Sequence, residues 1–448
     1  MKRLNNLYDK MISYSNANYV FNRIKNNCHN KKRVFAFLKY KNSNIVDILF
    51  KLKNQDYTFS NFGIFLINEK KYRIIMSENI NDKIVNQMIS YFILLPSFKN
   101  LIDTNIATRK NKGTSYGYKK INEYLKSIGT DKEIYVLKID IKKYFYNIDH
   151  KILYSMLEKR IKDKKALKII KEMISLTNYN YVNNDIDRLI NEEINRISKL
   201  NLNPNELEKK IIELNNIPRY KKDKGLSIGC LSNQLFAIFY LSEFDHYVKE
   251  VLKYKYYIRY MDDIYFFDTN KEKLENSFNL ITNKLKELKL EVNNKSGIYR
   301  MQEGISFLGY TYYIKNSKII IKYTNSTIRK IDRKLNKLYN SNFEYYYRSI
   351  RSYNGYFIRS NTKLYNNKYY NKRLVSKKDK YSFIKEKYND SIVFIKYKNK
   401  YYTYNNDLMY VKTYIKKRYN SITEKEFNKF IRKEKNYVVL EGNKIILS

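Results

Sequence analysis

Apolar and polar positions change period several times along this chain, and each change marks an element. Up to about residue 60, apolar residues recur at helical spacing between polar turns, as in Asn44-Ile45-Val46-Asp47-Ile48-Leu49-Phe50. Residues 61–76 then read as two short strands joined at Asn68–Lys71. Helical spacing returns over 80–102 and is expected to end near Pro96. After the loop 107–114 and another helix, residues 133–141 (EIYVLKIDI) form a β-rich, mostly apolar run, a buried strand with Asp140 near its C-terminal end.

Residues 150–217 carry long amphipathic helical patterns with heavy charge, a face expected to be solvated or to lie on a partner. Residues 226–253 read as a loop running into a helix, and residues 255–268 (KYYIRYMDDIYFFD) read as strand, tight turn, strand. Residues 274–292 are predicted helical, a hairpin is centred near Asn316, and helices run to about 375. The remainder, 376–448, alternates short strands and helices as a small α/β module. These alternations predict an α+β chain, and its 11 Gly and 3 Pro provide no flexible linker.

Composition narrows the class. No run approaches the roughly 18 apolar residues of a membrane span, so no membrane partner is expected. The N-terminal residues lack the apolar core of a signal peptide, which points to a cytoplasmic protein. Two cysteines (Cys28, Cys230) and three histidines offer no zinc-type cluster, so a metal would have to sit on carboxylates. The 88 Lys and Arg against 44 Asp and Glu leave a formal net charge of +44, suited to a polyanion such as nucleic acid. A coding bias toward Lys, Asn, Ile and Tyr would raise Glu as well, and the acids have not kept pace.

The candidate chemistry lies in two strands. Asp262-Asp263 sits in the turn of YIRYMDDIYFF. A turn-forming acid pair is common by itself. Asp140, at the end of a separate apolar strand, changes its meaning, because a carboxylate there is costly unless paired or metal-bound. If the strands are neighbours, three carboxylates converge and can hold two Mg²⁺ ions about 3.5–4 Å apart.

Several segments, in order, carry a family resemblance: YRII, NDKIVNQMI, ATRKNKGT, LKIDIKKYFYNIDH, KGLSIGCLSNQLFAIFYLSEFDHYV, YYIRYMDDIYFF, LEVNNKSG, ISFLGYTYY and SYNGYFIRSNTKL. The chain resembles prokaryotic reverse transcriptases, within them the diversity-generating-retroelement and defence-associated groups. The resemblance implies a right-hand polymerase: a helical extension over 1–60, fingers and palm over 61–325 with a charged insertion at about 180–217, and a thumb over 326–375. The module 376–448 follows. It implies RNA-directed DNA synthesis with two Mg²⁺ ions, using a template or noncoding RNA and dNTPs and yielding cDNA. An accessory protein and oligomerisation stay open, as does the alternative of a catalytically silent RNA-binding protein on the same fold.

By the same resemblance Asp140, Asp262 and Asp263 are the catalytic, metal-binding carboxylates, and Ile141 lends a main-chain carbonyl. Phe145 stands where an aromatic crowds a ribose 2′-hydroxyl; a core aromatic is its other use. Arg73 and Arg109 match basic fingers positions facing a triphosphate or template, with solvated surface as the alternative. Lys295 and Gln234 match further nucleotide-contacting positions, and Gly229, Tyr260, Gly309 and Tyr356 match template- and primer-contacting ones. The loop Ile228-Gly229-Cys230-Leu231-Ser232-Asn233-Gln234 departs from the diversity-generating pattern at Asn233. The tail faintly resembles the N-terminal domain of mismatch-repair proteins. Lys400 and Tyr402 replace that family's mismatch-probing Phe and Glu, so mismatch recognition is not implied.

Overall fold

Helices and strands alternate in long blocks, as the changes of period require. The structure, a computed structural model, describes residues 3–28, 31–68, 71–341, 345–346, 349, 352–353, 377–415, 421–434, 436–441 and 444–447. The chain divides into two compact units, residues 1–303 and 304–448.

The first unit opens with helices α1 (Leu7–Met11), α2 (Tyr14–Asn27), α3 (Lys31–Lys39) and α4 (Lys41–Asn54). Their apolar stripes, Ala17, Val20, Phe21 and Ile24 on α2 and Ile45, Ile48 and Leu52 on α4, join the main core. Strands β1 (Gly63–Asn68) and β2 (Tyr72–Ser77) pair as an antiparallel hairpin. Helix α5 (Ile80–Ile89) starts where the Asn79 side chain accepts from the Asp82 amide, then passes through one π turn (Ser90–Leu94) into α6 (Leu95–Ser97). Next come α7 (Thr114–Ile128), β3 (Tyr135–Asp140), α8 (Tyr144–Asn147), α9 (His150–Glu158) and α10 (Lys164–Ser175).

The charged stretch forms α11 (Asn180–Ser198) and α12 (Pro204–Asn215). Its polar face is solvated and laced with ion pairs such as Arg188–Glu192. The opposite stripe of Val182, Ile186, Ile190 and Ile197 is buried in one cluster with Tyr72, Ile74 and Met76 of β2, and α11 packs on β1 of the same hairpin. At about 1.5–3 kcal/mol for each fully buried aliphatic side chain, this contact ties the insertion to the hairpin.

Helices α13 (Leu231–Tyr240) and α14 (Ser242–His246) precede β4 (Tyr257–Tyr260), β5 (Asp263–Asp268), α15 (Lys271–Glu287) and β6 (Gly297–Arg300). The four strands form an antiparallel sheet in the order β4-β5-β3-β6. Its two central strands are nearly all buried: Val136, Leu137 and Ile139 on β3, and Ile264 to Phe267 on β5.

The second unit contains an antiparallel meander of β7 (Ile305–Phe307), β8 (Tyr310–Lys315) and β9 (Lys318–Tyr323), then α16 (Asn325–Ser341). The β8–β9 turn sits at Asn316 and Ser317, both left-handed (φ 50° and 53°), the geometry that suits a two-residue hairpin. It also contains α17 (Lys377–Lys387), β10 (Ile392–Tyr397), β11 (Lys400–Tyr402), α18 (Asn405–Tyr414), β12 (Ser421–Thr423), α19 (Glu424–Ile431), β13 (Tyr437–Glu441) and β14 (Lys444–Leu447). Those five strands form one sheet in the order β12-β11-β10-β13-β14, with only β10 and β13 parallel. Phe394, Tyr401, Phe427 and Phe430 form one buried cluster of this module; Tyr381, Ile384, Val393 and Val438 form another.

Candidate active site

Strand register brings the acids together. In the β3–β5 ladder Asp140 lies directly opposite Asp263, and Tyr260 of β4 pairs with Asp263 on its other side. Met261 and Asp262 make the turn, with Met261 left-handed at φ 55°, which is strained for a side chain of its size. Asp140 is fixed from behind by the segment before β6. Its amide donates to the Ser296 hydroxyl at 2.9 Å, and its carbonyl accepts from the Asn293 amide at 2.8 Å. Ile141 bridges to Val292 in the same segment.

The electrostatics follow from that crowding. Burial, then Asp263 and Asp140, push the Asp262 carboxyl up to about 6, with Arg259 opposing. Burial and Asp140 also raise Asp263, with Lys138 opposing. Among the described residues no group of three or more His, Cys, Asp or Glu is drawn into a ready metal cage. The donors nonetheless fit a hard divalent cation: they are carboxylate oxygens, and the ionised forms of Asp262 and Asp263 are disfavoured by burial and neighbouring negative charge that a cation relieves.

Beside Asp262 opens a cleft of about 690 Å³. Lys71, Tyr72 and Arg73 line it from the start of β2 and the residue before it, Lys143 to Tyr146 from the segment after β3, and Glu213, Asn216, Ile217 and Pro218 from the end of the insertion. The volume lies within the usual range of small-molecule sites. Lys143 is left-handed at φ 47° and makes no ion pair among the described residues. Tyr144 is buried and donates its hydroxyl to the Ala237 carbonyl at 2.5 Å, anchoring the corner to α13. The Tyr72 amide donates to Glu213 at 2.9 Å, so the insertion holds the strand that presents Arg73.

Residues 53–312 match the family model for reverse transcriptase (RNA-dependent DNA polymerase). The chain belongs to the reverse transcriptase family. It is 28% identical over 247 residues to a Saccharomyces cerevisiae protein named for COX1/OXI3 intron 2, an alignment covering 45% of this chain and 28% of the yeast protein. Among solved structures it is similar to an apo telomerase from Candida tropicalis truncated from its C-terminal domain. That likeness has 15% identity and a TM-score of 0.35, covering 59% of this chain and 55% of the telomerase.

Of the residues expected at this reverse transcriptase's site, Arg73, Phe145 and Asp262 share the cleft, while Asp140 and Asp263, paired in the ladder next to Asp262, are not among the residues that line it. Arg109 is used otherwise: its guanidinium donates to the carbonyls of Leu101, Ile102 and Asn105, cross-bracing its own loop. Gly229 was expected to let main chain approach a nucleotide or template. What it meets here is β2, where a Cβ would fall 2.2 Å from the Met76 carbonyl oxygen. Gln234 accepts from Thr108 at 3.3 Å and does not line the cleft. Lys295 is exposed, one residue before the Ser296 that holds Asp140. Tyr260 is half-buried against the core. Gly309 lies in the second unit, in the β7–β8 turn with φ 87° after a left-handed Leu308, which accounts for a glycine there. Tyr356 lies outside the described residues.

Sequence reasoning missed Ser296, Lys143, the insertion's share of the cleft, and Arg259. Arg259 had a legible signal: a charge inside an apolar strand must find a partner. No helix of the described residues is long and apolar enough to cross a membrane.

Proposed function

We propose that this chain is an active RNA-directed DNA polymerase that copies a noncoding or template RNA into cDNA. The observation that carries the reading is the register that sets Asp140 against Asp263 beside Asp262, which itself lines a cleft shared with Arg73, Lys71 and Lys143. Asp140 and Asp262, with the Ile141 carbonyl, would hold two Mg²⁺ ions, and Asp263 would stand beside them. When bound, the ions would supply an activated primer 3′-hydroxyl and charge neutralisation of the departing pyrophosphate.

The protein's own groups do the rest. Arg73 and Lys143 hold the triphosphate by charge-assisted bonds. Phe145 lies against the sugar and excludes a 2′-hydroxyl. Tyr144 keeps that wall in place through Ala237. By the family resemblance Lys295 and Gln234 would contact the nucleotide, and Gly229 and Tyr260 the template and primer. The +44 charge supplies the long-range attraction to nucleic acid.

The order of the matched segments supports a template-RNA system of the diversity-generating or defence-associated kind, whose loop pattern Ile228–Gln234 follows except at Asn233. The test is primer extension on an RNA template with purified protein, dNTPs and Mg²⁺. Incorporation that disappears in Asp140→Asn supports the reading. Incorporation equal in both proteins would falsify the site, and RNA binding without incorporation in wild type would favour the silent RNA-binding alternative.

A further inference from the structure

Next to the catalytic turn lies a buried charge that the polymerase chemistry itself does not use. Arg259, in the middle of β4, is 0% exposed, and so is its partner Asp245 on α14. Burying such a pair is costly unless nearly every donor and acceptor is satisfied. Here they are. Arg259 Nε and Nη2 form a fork to the two Asp245 oxygens at 2.8 and 2.6 Å, and Nη2 also reaches the Ile238 carbonyl at 2.9 Å. Asp245 accepts further bonds from the Tyr257 hydroxyl at 2.6 Å and the Asn105 amide at 3.3 Å.

The remaining amino group decides the role. Arg259 Nη1 donates to the Met261 carbonyl at 2.8 Å. Met261 immediately precedes Asp262 and holds the left-handed φ of 55°, a strained conformation for a residue with a side chain. One end of the guanidinium is thus clamped to the core, and the other grips the strained residue of the turn.

Resting on the function proposed above, we infer that Arg259 is a positioning residue: by holding the Met261 carbonyl it fixes the left-handed turn that aims Asp262 at the cleft. A purely architectural role fits less well, because main-chain bonds already dock β4. The Arg259 amide donates to Thr104, and its carbonyl accepts from Ile106, each at 3.0 Å. Asp245 orients the fork, and Asn105 and Tyr257 orient Asp245. The chain therefore runs from α14 through one side chain to the metal-binding turn.

The test uses Arg259→Lys, which keeps a cation for Asp245 but lacks the planar fork that spans to Met261. A second variant adds Met261→Gly, since glycine adopts positive φ without the side-chain penalty. Three readouts are taken on the full chain. In metal-free protein, hydrogen exchange of peptides covering residues 258–266 should rise at least tenfold in Arg259→Lys, with distant peptides unchanged. Mn²⁺ binding, followed by electron paramagnetic resonance, should weaken about tenfold. In primer extension, kcat should fall 10- to 100-fold while the dNTP KM stays within about threefold, and the double variant should recover most of each loss.

Exchange rising throughout the first unit, or kcat falling only in proportion to the folded fraction, would make Arg259 a stability residue and overturn the inference. So would wild-type Mn²⁺ affinity in Arg259→Lys, or no recovery on adding Met261→Gly. A wild-type protein that incorporates no nucleotide would overturn the proposed function instead, and the exchange and Mn²⁺ measurements would still decide the role of Arg259.

Discussion

Replacing Asp262 by Asn should stabilise the metal-free protein, and only at neutral to alkaline pH. Burial and the neighbouring carboxylates raise the folded-state value from 3.8 to about 6. A carboxyl raised on folding favours the fold while it is protonated. That contribution is fully present below about pH 4 and is lost as pH climbs through about 6. The difference corresponds to about 3 kcal/mol. Because Asp262 is only partly buried by surface area, solvent screening trims this to roughly 1–2 kcal/mol. For a unit of this size that is a gain of a few degrees in Tm. Thermal melts of wild type and Asp262→Asn in EDTA from pH 4 to 8 should superimpose at the acid end and separate above pH 6, the variant melting higher. Adding Mg²⁺ at pH 8 should raise wild type and leave the variant nearly unmoved. A gap that does not change with pH, or a variant that melts lower at pH 8, would refute the electrostatic account of the acid cluster.

Other perturbations address the cleft. Phe145→Ala should relax discrimination against ribonucleotides about 10- to 100-fold in competitive incorporation, and unchanged discrimination returns Phe145 to a packing role. Arg73→Ala should raise the dNTP KM about tenfold with kcat little affected, in steady-state extension; a lost kcat with intact KM would contradict a triphosphate-holding role. Gly229→Ala should lower stability by about 2 kcal/mol or more in denaturant melts, because the added carbon meets the Met76 carbonyl at 2.2 Å, too close to accommodate without moving backbone. Wild-type stability in that variant would show that the loop can shift away from β2.

The strands that carry the acids were legible because they are dense in β-formers, and a carboxylate at the end of such a strand breaks the pattern. Asp140 stood out from that alone, the Tyr260–Asp263 turn gained its meaning only beside Asp140 and from the family resemblance, and the register that sets Asp140 against Asp263 came from the structure. Partners distant in sequence left no local trace. Ser296 lies 156 positions from the Asp140 it holds, and Glu213 lies 141 from the Tyr72 amide it accepts. Arg109 is the converse case. Its residue type and spacing suit a phosphate, but three of its five N–H donors go to carbonyls within eight positions, and nothing in the composition of that loop distinguishes the two uses. The insertion was read as a solvated or partner-bound face; its polar side is solvated, and the apolar stripe beneath it found the hairpin that presents Arg73.

The central claim is that these three carboxylates make DNA on RNA. It is tested most directly by purifying the protein from cells, as wild type and as Asp262→Ala/Asp263→Ala, and sequencing the nucleic acids that come with each. The account predicts RNA in both samples and DNA complementary to one bound RNA in wild type alone. Complementary DNA in both, or RNA without DNA in either, would contradict it.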